Sequence, residues 1–288
     1  MTELNSLQNQ TIKNNFMFGA VMLDEENCRL LLERVLEIPI EKVEVSREKS
    51  IVYHPEFKGV RLDAYAKDMT GRRFNVEMQI VREPSPGKRS RYYHSQIDME
   101  LLLKGMEYEK LPDSYVIFIC DYDPFHAGKY RYVFHNICME DDNVELRDGS
   151  WTIFLNTHGN NEDEISEELL AFLQFVKADK EQSQQNYNDA FVSRLQKSIQ
   201  DIKQSREMEA RYMLLEELLK RQYKTGKEEG KIEGKIEFIL DVLEDVGIVS
   251  DQLRSEIVNQ KDVAILAKWM KLASRTDSIE QFVKEMNL

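Results

Sequence analysis

The chain has 288 residues, of which 42% are hydrophobic and 32% charged, so it can bury a core and does not have the composition of a disordered protein. Its formal net charge of −13 argues against a protein that coats nucleic acid through bulk electrostatics, although a local basic patch is still compatible with it. The three cysteines are widely spaced, offer no zinc-ligand pattern and suit reduced thiols. The polar start of the chain and its short apolar runs predict no signal peptide and no membrane span, so we expect a cytoplasmic protein.

The first part of the chain changes from helical to strand patterns. Apolar residues at helical spacing predict two short helices, over residues 13–22 and 27–36. A period of two then appears in two runs, over residues 60–67 and 74–80. Between the runs lies a segment whose glycine, Gly71, suits a tight turn. Together the two runs and the turn predict a β-hairpin.

The middle of the chain predicts an α/β arrangement. After a proline- and glycine-containing break at residues 84–87, a helix is expected over about 88–108, with a basic first turn that runs against the helix dipole. The continuously apolar run 115–120 predicts a central strand covered on both faces. Two more strands are expected, over 130–134 and 152–155. This order of elements predicts a mixed sheet with helices around it.

From about residue 163 the chain is predicted to be helical almost throughout. One helix is expected over 163–177, and a long amphipathic helix carries apolar residues from Phe191 to Leu219. A period-four repeat then begins at Gly226 and continues through Gly230 and Gly234. Each glycine costs roughly 1 kcal/mol against alanine in a helix, so this repeat is either a strained helix or a flexible connector to the last segment.

The hairpin brings two acidic residues together. If its turn is centred on residue 70, Asp63 lies opposite Glu77, with the two Cβ atoms only about 5 Å apart. Like charges at that distance are destabilising, and a divalent cation held by both carboxylates would supply the missing positive charge. Gln79 lies on the same face, one step along the strand. The spacing therefore indicates a possible site for magnesium or manganese.

A simpler interpretation of the same spacing stays open. Two acidic residues on a solvent-facing hairpin are common, and Arg61 or Arg73 could neutralise them as surface pairs worth less than about 1 kcal/mol. A shift of register by one residue would also move each side chain to the opposite face.

Several short strings follow one another in a specific order through most of the chain. They are Phe16-Met17-Phe18-Gly19, Gly59-Val60-Arg61-Leu62-Asp63, Asn75-Val76-Glu77-Met78-Gln79, Lys88-Arg89-Ser90-Arg91-Tyr92-Tyr93 and Ser114-Tyr115-Val116-Ile117-Phe118-Ile119-Cys120. In this order they resemble the PD-(D/E)XK nuclease family of transposase-like proteins, which includes the Rpn-type recombination-promoting nucleases. The resemblance implies an α/β fold, a restriction-endonuclease-like core with a central mixed β-sheet flanked by helices, followed by an α-helical C-terminal region. We expect the nuclease-like domain over residues 1–178 and the helical region over 179–288.

The resemblance also assigns residues to an active site. Asp63 and Glu77 match the family's two metal-binding acids, and the backbone carbonyl of Met78 would complete the protein's share of the ligands. Gln79 stands where the broader superfamily has lysine, so Asp63, Glu77 and Gln79 are the expected catalytic residues of a DNA endonuclease that uses Mg²⁺ or Mn²⁺. One departure is Asn15, which lies where relatives commonly carry an acid.

Basic residues cluster around the hairpin in an otherwise acidic chain. The residues predicted to contact DNA phosphates are Arg72, Arg73, Lys88, Arg89 and Arg91, with Tyr92 beside them. The alternative is a solvated turn and helix start. We further expect Lys88 or Arg91 to supply the positive charge that is missing at Gln79. The chain has no glycine-rich phosphate loop, so no nucleotide cofactor is expected.

Two rival functions remain at this point. The first is a DNA-binding or regulatory protein that keeps the nuclease fold with a weakened site, for which Asn15 is the main support. The second is a structural or partner-binding protein that acts through its acidic, helical C-terminal half. Cutting both strands of a duplex is simplest with two active sites, so we also expect a homodimer, with the C-terminal helices as the candidate interface.

Overall fold

The computed structural model describes residues 6–46, 50–51, 60–61, 63–141 and 143–286. The chain divides into two compact units, Met1–Tyr212 and Met213–Leu288. The first unit contains all of the strands, and the second is helical.

The first unit combines five complete helices with eight strands among the described residues. The helices are α1 (Asn15–Met22), α2 (Glu25–Leu36), α3 (Pro86–Leu101), α4 (Glu167–Lys177) and α5 (Ala190–Gln204). The strands are β1 (Val43–Ser46), β2 (Ser50–Ile51), β3 (Val60–Arg61), β4 (Ala64–Asp68), β5 (Arg73–Gln79), β6 (Ser114–Cys120), β7 (Arg131–Phe134) and β8 (Ser150–Asn156). Side chains cap several helix starts, as where Asn14 accepts from the Met17 N–H and Asp24 from the Asn27 N–H.

Six of the strands form one mixed sheet, in the order β1-β4-β5-β6-β8-β7. The three central strands β5, β6 and β8 run parallel, and the outer pairings are antiparallel. The β4–β5 hairpin turns at Gly71, whose φ of +95° is a backbone conformation that glycine adopts without strain. The expected α/β fold with a mixed sheet, flanking helices and a helical C-terminal region is confirmed.

Both faces of the sheet are covered. Alternate residues of the central strands point to opposite sides, so each face contributes its own side chains to a hydrophobic cluster. One face contributes Phe74, Val76, Ile117 and their neighbours to the main core, together with buried residues of α1, α2, α4 and α5. The other face contributes Val116, Phe118 and Phe154 to a smaller cluster that also contains Tyr93 and Ile97 of α3. Glu77 and Gln79 alternate with the core residues of β5, so they lie on the side that α3 covers.

Three predicted elements differ from the structure. The predicted strand 60–67 is divided into β3 and β4, which belong to different sheets, with Asp63 in a bend and Leu62 outside the described residues. The third helix ends at Leu101 rather than near residue 108, because Leu102 turns to an extended conformation. The long amphipathic helix is interrupted at Ser205, which is extended and whose hydroxyl accepts from the Met208 N–H.

The second unit is built from helices around its own core. The long helix α6 (Arg206–Val246) begins in the first unit and continues into the second, followed by α7 (Asp251–Asn259), α8 (Val263–Ala273) and α9 (Ile279–Met286). Ile239, Leu243, Ile257, Leu266 and Phe282 form the buried centre. The glycine repeat lies within α6, so of its two predicted conformations the structure has the helical one.

The compact units divide the chain later than the predicted boundary at residue 178. Helix α5 lies after that boundary, yet Phe191, Val192 and Leu195 are buried in the core of the first unit. The compact first unit extends to Tyr212, and the expected division into a nuclease-like domain over 1–178 and a helical region over 179–288 stays a prediction. None of the described helices combines the length and apolarity needed to span a lipid bilayer.

Candidate active site

The predicted acid pair comes together at the end of the hairpin that is remote from its turn. Ala64 pairs with Val76 and Lys67 with Arg73, which is the register predicted from the sequence. Asp63 directly precedes Ala64, so it lies beside Glu77, and its backbone N–H donates to Glu77 Oε1 over 3.3 Å. The two carboxylates are therefore adjacent at the C-terminal end of β5.

The carboxylate of Asp63 accepts hydrogen bonds from two different parts of the fold. Its Oδ2 atom accepts from the Met78 N–H at 3.1 Å and from Asn15 Nδ2 at 3.4 Å. Helix α1 approaches closely because it has a glycine at position 19, where an added Cβ would lie 3.2 Å from the Asp63 carbonyl oxygen. Asn15, at the start of the same helix, thereby reaches the site.

Glu77 is a buried carboxylate, with only 2% of its side chain exposed. Burial is the largest cause that raises the pKa of Glu77 well above its usual range, and the negative charge of Asp63 raises it further. The Arg89 guanidinium and the hydrogen bond from the Asp63 backbone N–H act in the opposite direction, but they do not offset the rise. Glu77 thus lies where additional positive charge would be stabilising.

Arg89 of α3 lies across the polar end of β5. Its Nη1 donates to Gln79 Oε1 at 2.8 Å, and its Nη2 donates to Glu77 Oε2 at 3.2 Å. Tyr93, one helical turn further along α3, accepts from Arg89 Nη2 at 2.7 Å and donates to Glu77 Oε2 at 3.3 Å. The cation beside Gln79 is therefore Arg89, and the expectation that Lys88 or Arg91 fills this position was wrong.

The edge of the sheet next to Gln79 carries a second polar group. Asp121 follows β6, and its N–H donates to the Gln79 carbonyl at 2.9 Å. Its carboxylate accepts from Lys13 Nζ at 2.7 Å and from the Thr157 hydroxyl at 2.8 Å. Lys13 comes from the segment before α1, so the start of this helix and the C-terminal ends of two parallel strands meet at one edge.

The other predicted DNA-contacting residues fall into two groups. Arg72 and Arg73 lie at the hairpin turn, about 13 Å from Glu77 along β5, where Arg72 pairs with Asp68 over 2.6 Å. Lys88 and Arg91 are exposed in the first turns of α3, close in sequence to Arg89, and Tyr92 packs partly against the smaller core cluster. The structure brings the α3 residues near the carboxylates and leaves the turn arginines at the far end of the hairpin.

Sequence reasoning missed Lys13, Asn75 and Asp121 as residues around the site. Asn75 is fully buried two positions before Glu77, on the same face of β5. Asp121 had a usable signal, because it directly follows a strand predicted to be central, and the carboxyl ends of parallel strands share one edge. Lys13 had none, since only the packing of α1 brings it to that edge.

The donor atoms fit a hard divalent cation. Asp63 and Glu77 offer carboxylate oxygens, and the Met78 carbonyl points to the same side of β5 as the N–H that donates to Asp63. Oxygen ligands of this kind suit Mg²⁺ or Mn²⁺. Within the described residues there is no group of three or more histidine, cysteine, aspartate or glutamate side chains that could hold a metal ion.

Comparison with known proteins identifies the family. A family model described as PD-(D/E)XK nuclease family transposase matches residues 12–232, which include the whole of the site. No curated protein and no solved structure matches the chain at a significant level. The match covers well over half of the chain, and the family implies a nuclease-related function. The chain belongs to the PD-(D/E)XK nuclease family transposases.

Proposed function

We propose that the protein is a metal-dependent endonuclease that hydrolyses phosphodiester bonds in DNA. The observation that carries this proposal is the Asp63–Glu77 pair, two carboxylates kept together although burial and mutual repulsion raise the pKa of Glu77. A protein that maintains such a pair does so at a cost, and perturbed acids of this kind concentrate at functional sites. The family supports the same class of reaction.

Some of the site residues would bind the metal ion, and others would orient a ligand, a water or the phosphate. Asp63, Glu77 and the Met78 carbonyl would hold Mg²⁺ or Mn²⁺, which when bound lowers the pKa of a coordinated water and stabilises charge on the phosphate. Asn15 donates to Asp63 and restricts its carboxylate. Gln79 accepts from Arg89 through Oε1, which leaves its amide N–H groups to donate to a water or a phosphate oxygen.

DNA would approach along the start of α3. Lys88 and Arg91 are exposed there, and helix N-termini favour phosphate groups. We assign them to backbone contacts, with Tyr92 beside them. Arg72 and Arg73 would contact the same duplex only at a distance from the cleaved bond, since they lie at the far end of the hairpin.

A second candidate is a DNA-binding or regulatory protein in which the nuclease site is weakened. Asn15 is the specific observation that favours it. This residue lies beside Asp63, where an acid would add a third carboxylate, but it donates a hydrogen bond in place of contributing charge. Under this alternative the protein binds DNA but does not cut it.

Cleavage of supercoiled plasmid separates the two candidates. Wild type, Asp63→Ala and the matched surface variant Asp201→Ala are each incubated with Mg²⁺, with Mn²⁺ and with a chelator. The endonuclease predicts nicking or linearisation by wild type and by Asp201→Ala in the presence of metal only. If all three proteins bind the plasmid and none cuts it, the DNA-binding alternative replaces the proposal.

We also propose that the protein acts as a homodimer in the cytoplasm, with α6 as the interface. Leu214, Leu218, Leu219 and Tyr223 of α6 are large apolar residues that are exposed to solvent. All three cysteines are free, as suits a reducing compartment. Light scattering of wild type and of Leu218→Lys/Leu219→Lys tests the interface, and a monomeric wild type would contradict it.

A further inference from the structure

The burial of Glu77 raises the question of what balances its charge. A buried carboxylate is costly unless it is paired or hydrogen-bonded. Both oxygens of Glu77 accept hydrogen bonds, Oε1 from the Asp63 N–H and Oε2 from Arg89 and Tyr93. Among the described residues, Arg89 is the cation that forms an ion pair with Glu77. The Arg89 guanidinium thus lies where a positive charge is needed to balance the Glu77 carboxylate.

Arg89 is held in this position by groups that suit a guanidinium. Its remaining donors reach Gln79 Oε1 and the Tyr93 hydroxyl, and its guanidinium carbon lies 5.2 Å from the centre of the Tyr93 ring and 5.6 Å from that of Phe118. A cation in the first turn of a helix is disfavoured by the helix dipole. The pair with Glu77, and not the local helix, therefore accounts for an arginine here.

The side chain of Arg89 is nevertheless 28% exposed, so it is in part accessible from solvent. Lys88 and Arg91, its exposed neighbours on α3, lie on the route that we assign to DNA. A long side chain that starts at the rim of the site can turn from the buried carboxylate to a ligand outside without movement of the helix.

The net charge of the site determines which partner Arg89 favours, Glu77 or a phosphate. At a pH above the raised pKa of Glu77, which is about 8, Asp63 and Glu77 are both ionised and Arg89 is positive, so the three side chains sum to −1. A divalent cation held by the two carboxylates would change this sum to +1, and one phosphodiester would bring it to zero. Arg89 is then repelled from the carboxylates by the cation and attracted by the phosphate.

We propose that Arg89 is a counter-ion that exchanges partners: it neutralises Glu77 in the metal-free protein and binds a DNA phosphate when the carboxylates are otherwise neutralised. The inference rests on the proposed function for its ligand, a nucleic-acid phosphate. It assigns to Arg89 a role that Lys88 and Arg91 do not share, because only Arg89 is tied to the carboxylates before DNA arrives.

The test measures DNA affinity in a chelator, so that no cleavage occurs. Fluorescence anisotropy with a short duplex, at one fixed salt concentration and at pH 9, compares wild type, Glu77→Gln, Arg89→Met and the double variant. At this pH Glu77 is ionised in wild type although its pKa is raised to about 8. Glu77→Gln removes the charge that holds Arg89, and we expect it to bind DNA at least fivefold tighter than wild type. In the Arg89→Met background the same substitution should change affinity by less than twofold.

Control backgrounds separate this exchange from general repulsion of DNA by Glu77. In the Arg91→Met background, Glu77→Gln should retain its full gain in affinity. Equal gains with and without Arg89 would overturn the proposal, and plasmid cleavage by wild type in Mg²⁺ would still support the nuclease. Conversely, an Arg89-dependent gain in a protein that never cuts DNA would support the exchange and contradict the nuclease.

A second measurement uses only the wild-type chain and therefore does not depend on the folding of variants. The Cζ signal of Arg89 in an NMR spectrum at pH 9, assigned by sequential methods, is followed while Mg²⁺ is added without DNA. We expect it to shift or broaden as the contact with Glu77 is lost. An unchanged Arg89 signal, while signals near Asp63 move, would overturn the proposal.

Discussion

The burial of Glu77 makes the stability of the first unit depend on pH in a defined direction. Because the pKa of Glu77 is raised in the folded protein, chiefly by desolvation and then by Asp63, the folded state binds a proton that the unfolded chain releases. Its contribution to stability is therefore present below the ordinary carboxyl pKa and is lost as pH rises toward the folded pKa. Glu77→Gln keeps the shape of the side chain and removes the titration.

The size of the effect follows from a single proton. The free energy of unfolding can fall by at most about 1.4 kcal/mol per pH unit, so wild type should lose about 2–3 kcal/mol between pH 5.5 and 7.5 relative to Glu77→Gln. For a unit of this size that corresponds to about 5–10 °C in Tm. Thermal melts in a chelator at three pH values measure the difference between the two proteins.

The exposed variant Glu181→Gln serves as the matched control and should follow wild type at every pH. A Tm difference between Glu77→Gln and wild type that stays constant from pH 5.5 to 7.5 would refute the reasoning, because it would mean that Glu77 does not exchange a proton on unfolding in this range.

Four further substitutions test the packing and the site. Asn15→Asp places a third carboxylate beside Asp63, and we expect Mn²⁺ to bind about tenfold tighter, equivalent to about 1.4 kcal/mol, when measured by calorimetry; unchanged affinity would remove Asn15 from the account of the site. Phe74→Ala empties a fully buried position between the sheet and the helices and should cost about 3–5 kcal/mol of unfolding free energy in urea titrations, whereas a loss below about 1 kcal/mol would contradict the assigned core. The Cβ added by Gly226→Ala or Gly230→Ala would have no atom within 4 Å, so each substitution should stabilise α6 by about 1 kcal/mol and raise the Tm. A lower Tm would show that this stretch of α6 is not an unobstructed helix.

Much of the fold could be predicted from local patterns. The alternation on both sides of Gly71 predicted the hairpin and its register, and the structure has Ala64 opposite Val76 as that register requires. The continuous apolar run at Tyr115–Cys120 predicted a strand covered on both faces, and β6 occupies Ser114–Cys120. These patterns succeed because periodicity in a strand or helix depends on residues that are neighbours in sequence.

The environment of the acid pair could not be predicted in the same way. Alternation placed Glu77 on a polar face, which suggested exposure to solvent as one interpretation, but α3 covers that face and buries the carboxylate. Burial and the charge of Asp63 then decide the direction of the pKa shift. Which face of a sheet a helix covers depends on packing across the whole unit, and no local pattern specifies it.

The sequence by itself placed Asp63 and Glu77 on the two strands of one hairpin, and a turn centred on residue 70 makes them neighbours, because the side-chain period of a strand is two residues. Only the tertiary structure decided which cation meets them. Lys88, Arg89 and Arg91 are equivalent as a basic cluster in the sequence, but successive helix positions point in directions about 100° apart. The orientation of α3 on the sheet turns Arg89 toward Glu77 and leaves the other two exposed.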